Sequence, residues 1–498
     1  MPQTNLFSAI SYLTAGPLIF LLHTHLIWQT GFFDYDSAHN WQIIQEISQG
    51  NYQHLFQHAS PSFFLFYAAF TPVSKDFHFY ILLNCLFNVL GILLTVKFIE
   101  RQFSLSILNT FLLILFAGLS GYLTANSRYF TIEAPSLFFF ALLLPLYYQR
   151  FTEQSRKAFY RVIALVAFGL TINYKFLLLF PVALLLELLH PDKVINSRRI
   201  IYSILILLLP FLVYGLVAFL VGLPFYRFPA AYANLFYNFK VPTPGSRLGF
   251  FNFDVFYYGR YFLRFESPLL LVGLVLFPLL FRRQIFEIKQ NKEINIYRYL
   301  FLLIYLYLAG MHVLQKAPRG LFLVYTLLYT ITLISCAQTV RSRKLTFSIL
   351  VLSFIYQSFV LQREFYAYAH TNYPQVVAYL QNRKITKIAT TVGLGITPYA
   401  QTANLEITPV FDETQLNSLK VKGYRYVLLD DYYLAANIRK FKNLEVTPPL
   451  ASWPEPSLIS PFLYLDQCEF TGFSYQQALQ SQQQVAQDSI QLRLLRIP

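Results

Sequence analysis

The chain has 498 residues, of which 56% are apolar, 18% aromatic and only 13% charged, whereas soluble globular domains carry about 25% charged residues. This balance excludes an ordinary soluble enzyme and puts the chain in a bilayer. The formal charge of +15 is no nucleic-acid footprint: residues 362–498 hold 12 Lys and Arg against 11 Asp and Glu, leaving 27 against 13 in the apolar remainder, where the excess reads as a topology signal.

Taken in chain order, residues 8–29 form a first apolar stretch behind a short uncharged leader with no small-residue cleavage site, and are expected to be a retained anchor. Further stretches at 78–96, 104–123, 200–222 and 319–339 approach or exceed the roughly 20 residues that cross about 30 Å of hydrocarbon as a helix. Connections at 97–103, 150–161, 190–199, 282–298 and 341–344 carry 17 basic residues in 50 positions, against 10 in 109 for those at 30–77, 124–130, 172–176, 223–265 and 315–320. The asymmetry places the first set in the cytoplasm. Alternation then gives about eleven spanning helices, with the N-terminus inside and everything after residue 361 outside.

Two places test that scheme. The run 159–190 must cross twice to keep its flanking basic clusters on one side, so its break belongs at Thr171–Lys175. The apolar run from Pro61 to Pro72 reaches only about 18 Å as a helix, too short to span, and is expected to lie in the outer interface.

The tail reads as a small α/β unit, with a helix in YPQVVAYLQNRK, strands in ITKIATTVGLG and YRYVLLDDYY, and a closing strand in IQLRLLRI. Its Gly393–Gly395 pair lacks the third glycine of a dinucleotide fingerprint, so a folding or docking role is expected. The domain expectation is therefore a transmembrane part over 1–361, with outer loops at 30–77 and 223–265, and an extracytoplasmic α/β part over 362–498. Cys85, Cys336 and Cys468 show no metal-ligand spacing.

The chemistry gathers on the outer side. Asp34 and Asp36 follow the first span and precede an amphipathic run with Ile43, Ile44 and Ile47 at helical spacing and Gly50 as a stop. An aspartate there can act as general base on an acceptor hydroxyl attacking a sugar C1, although Asp36 equally fits the N-cap of the following helix. Arg128, Glu133, Lys175, Lys316 and Arg319 stand at the outer ends of apolar runs, where ionisable groups default to functional roles; the cations suit a polyprenyl-phosphate leaving group. His39, His54 and His58 share the first loop in no tight metal spacing. In the second outer loop Arg247 and its basic neighbours lie among many aromatics, which fits either a sugar and phosphate groove or an aromatic belt.

DYDSAHNWQIIQEISQG after the first span, HASPSFFLFYAAF, SRYFTIEAPSLFFFALLL and LTINYKFLLLFPVALLL together resemble the GT-C class of integral-membrane glycosyltransferases, in particular family 39, the protein mannosyltransferase and aminoarabinose transferase-like branch. The resemblance covers residues 8 to about 360 in order and topology. It implies an inverting transfer from a polyprenyl-phosphate-linked sugar; the acceptor, a lipid, glycan or protein on the extracytoplasmic side, is left open, and the expected location is the bacterial inner membrane. Carried over by position, Asp36 matches the catalytic loop-one acid with Asp34 as competitor, Glu133 a position that is usually Asp, and Lys175 the phosphate-side lysine. Arg128, His39, His58, Lys316, Arg319 and Arg247 are the substrate-binding candidates, and Asp36 with Glu133 is the pair open to a divalent metal. The pattern departs at Ser37, where the family often has Glu, and at the missing lysine before the prolines, near His58 and Ser60. The competing readings are a lipid-linked glycan flippase or transporter, for which matched halves are not apparent, and an O-antigen ligase or polymerase.

Overall fold

The computed structural model describes residues 3–152, 156–189, 197–240, 252–286, 295–340 and 342–497. Helix α1 (Gln3–Thr24) leads into the first loop, which folds as α2 (Tyr35–Ser48) and α3 (Pro61–Ala68) before α4 (Phe77–Phe103). Then follow α5 (Ile107–Gly118), α6 (Gly121–Arg128), α7 (Glu133–Thr152), α8 (Arg156–Gly169), α9 (Leu179–Leu189) and α10 (Ser197–Leu220). Helices α11 (Arg227–Lys240) and α12 (Tyr257–Phe265) form the second loop, and α13 (Leu269–Leu280), α14 (Arg282–Phe286), α15 (Ile296–Val313), α16 (Tyr325–Thr339) and α17 (Arg343–Glu364) complete the helical part.

Five stretches among the described residues are long and apolar enough to cross a membrane: Ala9–Gln29, Phe77–Phe103, Arg198–Leu220, Ile296–Val313 and Lys344–Asn382. A sixth arises if α5 and α6, bent by 62° at their junction, count as one broken span. Fewer spans pass on length and composition than the eleven expected, in large part because α8, α9, α13 and α16 hold only 14, 11, 12 and 15 residues, about 16–22 Å of rise. The lipid-facing character is plainest on α10, where Leu205, Leu209, Leu212, Leu216 and Phe219 are all more than half exposed; that much apolar surface is costly in water.

Local chemistry explains the breaks. The expected span 104–123 stops at Leu119 because the Ser120 hydroxyl accepts from Leu123 N and starts a new helix. Glu266 reinforces that start, accepting from Gly121 N at 3.1 Å, Tyr122 N at 2.7 Å and the Ser120 hydroxyl at 2.8 Å. The expected span 319–339 begins with the short 3₁₀ turn Pro318–Leu321, and its helix starts only at Tyr325. The run 159–190 breaks where expected: α8 ends at Gly169 and the 3₁₀ turn Tyr174–Leu178 precedes α9. The run after Pro61 is an eight-residue helix, about 12 Å long.

After α17 the chain forms α18 (Tyr373–Asn382) and a five-stranded sheet of β1 (Lys387–Thr391), β2 (Glu406–Val410), β3 (Tyr426–Asp430), β4 (Ala451–Trp453) and β5 (Leu492–Arg496). Its order is β2-β1-β3-β5-β4, with β1 parallel to both neighbours and β5 antiparallel to β3 and β4. The helix and three strands read in the sequence are present, and β2 and β4 join them. The sheet part docks on the first loop: Thr371 N donates to Gln29 O at 3.1 Å, Phe77 meets Tyr399 edge-on at 5.4 Å, and Tyr35 meets Phe411 at 6.4 Å.

Candidate active site

One cavity of about 330 Å³ gathers Asp36 and His58 from the first loop, Glu133 from α7, Lys175 from the 170–178 turn, Arg227 from α11, Arg319 from the turn before α16, and Glu469 from the tail. The local sequence of each segment explains its contribution.

Asp34, and not Asp36, caps α2: its backbone is extended and its carboxylate accepts from Ser37 N at 3.0 Å. The expected ambiguity at Asp36 is thereby removed, because Asp36 lies in the first turn and is free to line the cavity. Buried Ile43, Ile44 and Ile47 hold α2 in place. Polar ties to the 129–131 segment add direction: Phe130 N donates to the Ser37 hydroxyl, and Asn40 donates to Phe130 O, both at 3.1 Å. The same segment leads into α7 and so sets Glu133 relative to Asp36.

Lys175 is fixed from below by Asn173, whose side chain accepts from Lys175 N at 2.9 Å. Its ammonium donates to Glu133 at 3.1 Å and to Glu469 at 3.3 Å. Burial opposes its charge, but Glu469 and Glu133 outweigh burial and move its pKa above the ordinary lysine value. Arg319 spreads its fork over three carboxylates: Nε donates to Asp466 at 2.8 Å, Nη1 to Asp36 at 3.1 Å, and Nη2 also contacts Asp466 and stands 3.7 Å from Asp34. The Phe470 ring lies 5.4 Å beneath the guanidinium. Burial and the nearby Asp36 push the Asp34 carboxyl up to about 7, with Arg319 opposing. Burial likewise raises Asp466 against the pull of Arg319.

His58 and Ala59 both adopt φ of 53°, a left-handed conformation that costs roughly 1–2 kcal/mol per non-glycine residue. The turn is held by the Ser60 hydroxyl on His58 O at 2.9 Å and by Ser62, which bonds Thr171 through backbone and side chain. Strain so maintained points the imidazole into the cavity, 3.7 Å from Asp36.

Several sequence candidates lie elsewhere. Arg128 is buried away from the cavity, donating to the Thr30 hydroxyl and standing over Phe33 and Tyr366 at 5.9 and 5.3 Å. Lys316 turns to the carbonyl of Asn252. His39 stacks on Tyr35 at 5.2 Å outside the cavity lining, and burial, helped by His58, lowers its pKa to about 4, so at neutral pH it carries no charge to offer a phosphate. Arg247 lies outside the described residues. Arg128 ends α6 and Lys316 follows α15, at the ends of apolar runs as the sequence indicates, but side-chain direction is set by packing that a single sequence does not display.

As for a divalent metal, Asp36 and Glu133 both line the cavity, yet each is engaged by a cation. Among the described residues no three His, Cys, Asp or Glu side chains are grouped to hold a metal ion.

Asp466 and Glu469 are the residues that sequence reading missed. They sit three apart in PFLYLDQCEF, on the short helices Pro461–Asp466 and Cys468–Thr471. Two carboxylates at helical spacing in an apolar run were the available signal, since buried carboxylates need partners.

No protein-family model matches this chain, and no curated protein matches it. Among solved structures it is similar to ArnT from Cupriavidus metallidurans, crystallised bound to undecaprenyl phosphate, with 13% identity and a TM-score of 0.47 over 95% of this chain and 77% of that one.

Proposed function

We propose that this chain is a membrane glycosyltransferase that takes a sugar from a polyprenyl-phosphate-linked donor and gives it, with inversion, to an acceptor on the non-cytoplasmic side. The observation that carries the reading is the meeting of Asp36, Lys175 and Arg319 in one cavity, at loop ends that charge asymmetry assigns to a single face.

In this reading Asp36 takes the acceptor hydroxyl's proton, the freed oxygen bonds to the sugar C1, and the bond from C1 to the phosphate oxygen breaks. Its electron pair leaves with the phosphate, whose charge Lys175 and Arg227 offset from the cavity wall. Arg319 orients the base: its hydrogen bond to Asp36 Oδ2 leaves Oδ1 toward His58. Asn40, Gln53, Gln57 and Asn234 line the same cavity and supply neutral donors and acceptors suited to sugar hydroxyls. Residues 1–361 then form the membrane catalytic part and 362–498 an extracytoplasmic part that contributes Asp466 and Glu469.

The test is transfer of radiolabelled sugar from a polyprenyl-phosphate donor by purified protein in lipid, with Asp36→Asn and Lys175→Gln beside the parent. Loss of transfer in both folded variants is expected. Full activity in either removes the mechanism.

A further inference from the structure

A second cavity, of about 480 Å³, lies between the last turns of α4 and α7. It is remote from the site described above. Helix α4 starts beside the first loop, where Phe77 meets Phe32 at 5.0 Å, and it is long and apolar enough to cross a membrane. Lys97, which lines the second cavity, stands about 30 Å along the helix from Phe77, so this cavity opens at the other face of the bilayer.

The sequence explains the gap between the two helices. They touch at Gly91, where a Cβ would stand 2.9 Å from the Leu137 side chain and 3.0 Å from Phe138 N. Past that contact α4 carries Leu94 and Phe98 instead of glycine. Helix α7 carries Pro145, which disturbs a helix because it lacks an N–H and its ring crowds the carbonyl four residues back. Phe98 and Tyr148 close the floor edge-on, with ring centroids 5.8 Å apart.

The lining is divided along its length. Leu94, Leu142 and Pro145 make the end nearer the bilayer centre apolar, whereas Arg101, Gln102, Gln149 and Thr152 make the end at the helix termini polar, with Lys97 one turn before Arg101. At that spacing on one helix face, like charges repel. Neither cation is paired with a carboxylate among the described residues. The neighbouring Glu100 accepts from the Tyr12 hydroxyl of α1 at 2.6 Å, and near the end of α7 Glu187 is taken by Arg150 at 3.2 Å; none of these four residues lines the cavity.

We propose that this groove binds an anionic glycerophospholipid of the phosphatidylglycerol type. Its phosphodiester lies against Lys97 and Arg101, its headgroup hydroxyls meet Gln102 and Thr152, and an acyl chain runs along Leu94, Leu142 and Pro145. A choline or ethanolamine headgroup instead brings a third positive charge beside the two already there. A lipid so held joins α4 to α7, the helix whose first residue, Glu133, lines the catalytic cavity. The site does not rest on the proposed function.

The experiment measures binding of a phosphatidylglycerol with a fluorescent acyl chain to the purified full-length protein in micelles. Unlabelled phosphatidylglycerol, phosphatidylcholine, a polyprenyl monophosphate and inorganic phosphate serve as competitors. In the parent protein phosphatidylglycerol is expected to compete at least tenfold better than each of the others. Lys97→Gln with Arg101→Gln is expected to weaken binding about thirtyfold. Lys157→Gln with Lys344→Gln removes as much charge at exposed positions outside the groove and is expected to change binding less than threefold. Leu94→Trp fills the apolar end without touching the charges, and at least fivefold weaker binding is expected. Equal competition by phosphatidylcholine, or equal loss in the two double variants, overturns the site. A polyprenyl monophosphate that competes better than phosphatidylglycerol overturns the lipid class, and displacement by inorganic phosphate at matched concentration overturns the need for a lipid. Unchanged binding by folded Leu94→Trp protein refutes the place given to the acyl chain. The competition series uses the parent protein alone, so it decides even where a variant fails to fold.

Discussion

Replacing Asp36 by Asn while leaving Asp34 intact, and the converse, separates chemistry from architecture in the first loop. Asp36→Asn preserves volume and one oxygen that can accept from Arg319 Nη1, now at 3.1 Å. Arg319 also retains Asp466 and the nearby Asp34, so the lost ion pair is expected to cost about 1 kcal/mol at this partly exposed position. What the amide cannot do is take a proton. Removing a general base slows reactions by about 10²–10⁴-fold, or roughly 3–5 kcal/mol of barrier, so kcat is expected to fall by that factor. Asp34→Asn instead keeps the helix start, because Asn caps as well as Asp and can accept from Ser37 N as the carboxylate does at 3.0 Å; its kcat is expected within about tenfold of the parent. The assay is single-turnover sugar transfer by purified protein, with melting temperature as a control for folding. A folded Asp36→Asn protein working within about tenfold of the parent, or a larger loss at Asp34, refutes the assignment.

Arg319→Lys replaces a fork that reaches Asp36 and Asp466 together by a point charge, and kcat/KM is expected to drop by about tenfold or more; steady-state kinetics decides. In the tail, burial pushes the Asp431 carboxyl up to about 8, with Arg493 opposing. The folded state therefore holds a proton that the unfolded chain has released, and stability falls as pH rises from about 4 toward 8, by up to roughly 1.4 kcal/mol per pH unit for this group. Asp431→Asn is expected to flatten that decline in melting temperature; an identical profile counts against it. Gly121→Ala puts a methyl 2.0 Å from the Phe265 carbonyl oxygen, and loss of folded protein is expected by size-exclusion chromatography. Val73→Cys, at a 70% exposed residue between α3 and α4, is expected to react with an impermeant thiol reagent from the non-cytoplasmic side, whereas protection there reverses the topology.

What could be read from sequence divides along physical lines. Apolar runs, the break at Thr171–Lys175 and the isolated helix after Pro61 were legible because they depend on composition and length within a single segment. Asp36, Lys175 and Arg319 were legible because an ionisable group at the end of an apolar run is expensive wherever it lies. Arg128 looked the same by that criterion, yet its guanidinium turned to Thr30, Phe33 and Tyr366, a choice made by three-dimensional packing. Asp34 took the cap that Asp36 also fitted, a difference of backbone angles two residues apart. Asp466 and Glu469 stayed hidden because their partners lie 147 and 294 residues away, and no local rule reports so distant a pairing.

That separation bears on biosynthesis. A ribosome delivering this chain to the membrane releases Asp36 long before Glu469 exists, so the helices can insert and pack while Lys175 and Arg319 each still lack one carboxylate partner, Glu469 and Asp466. The pocket takes its finished form only after the last segment has folded against the helices, which, on the proposed function, would keep a half-made protein from engaging carrier lipid.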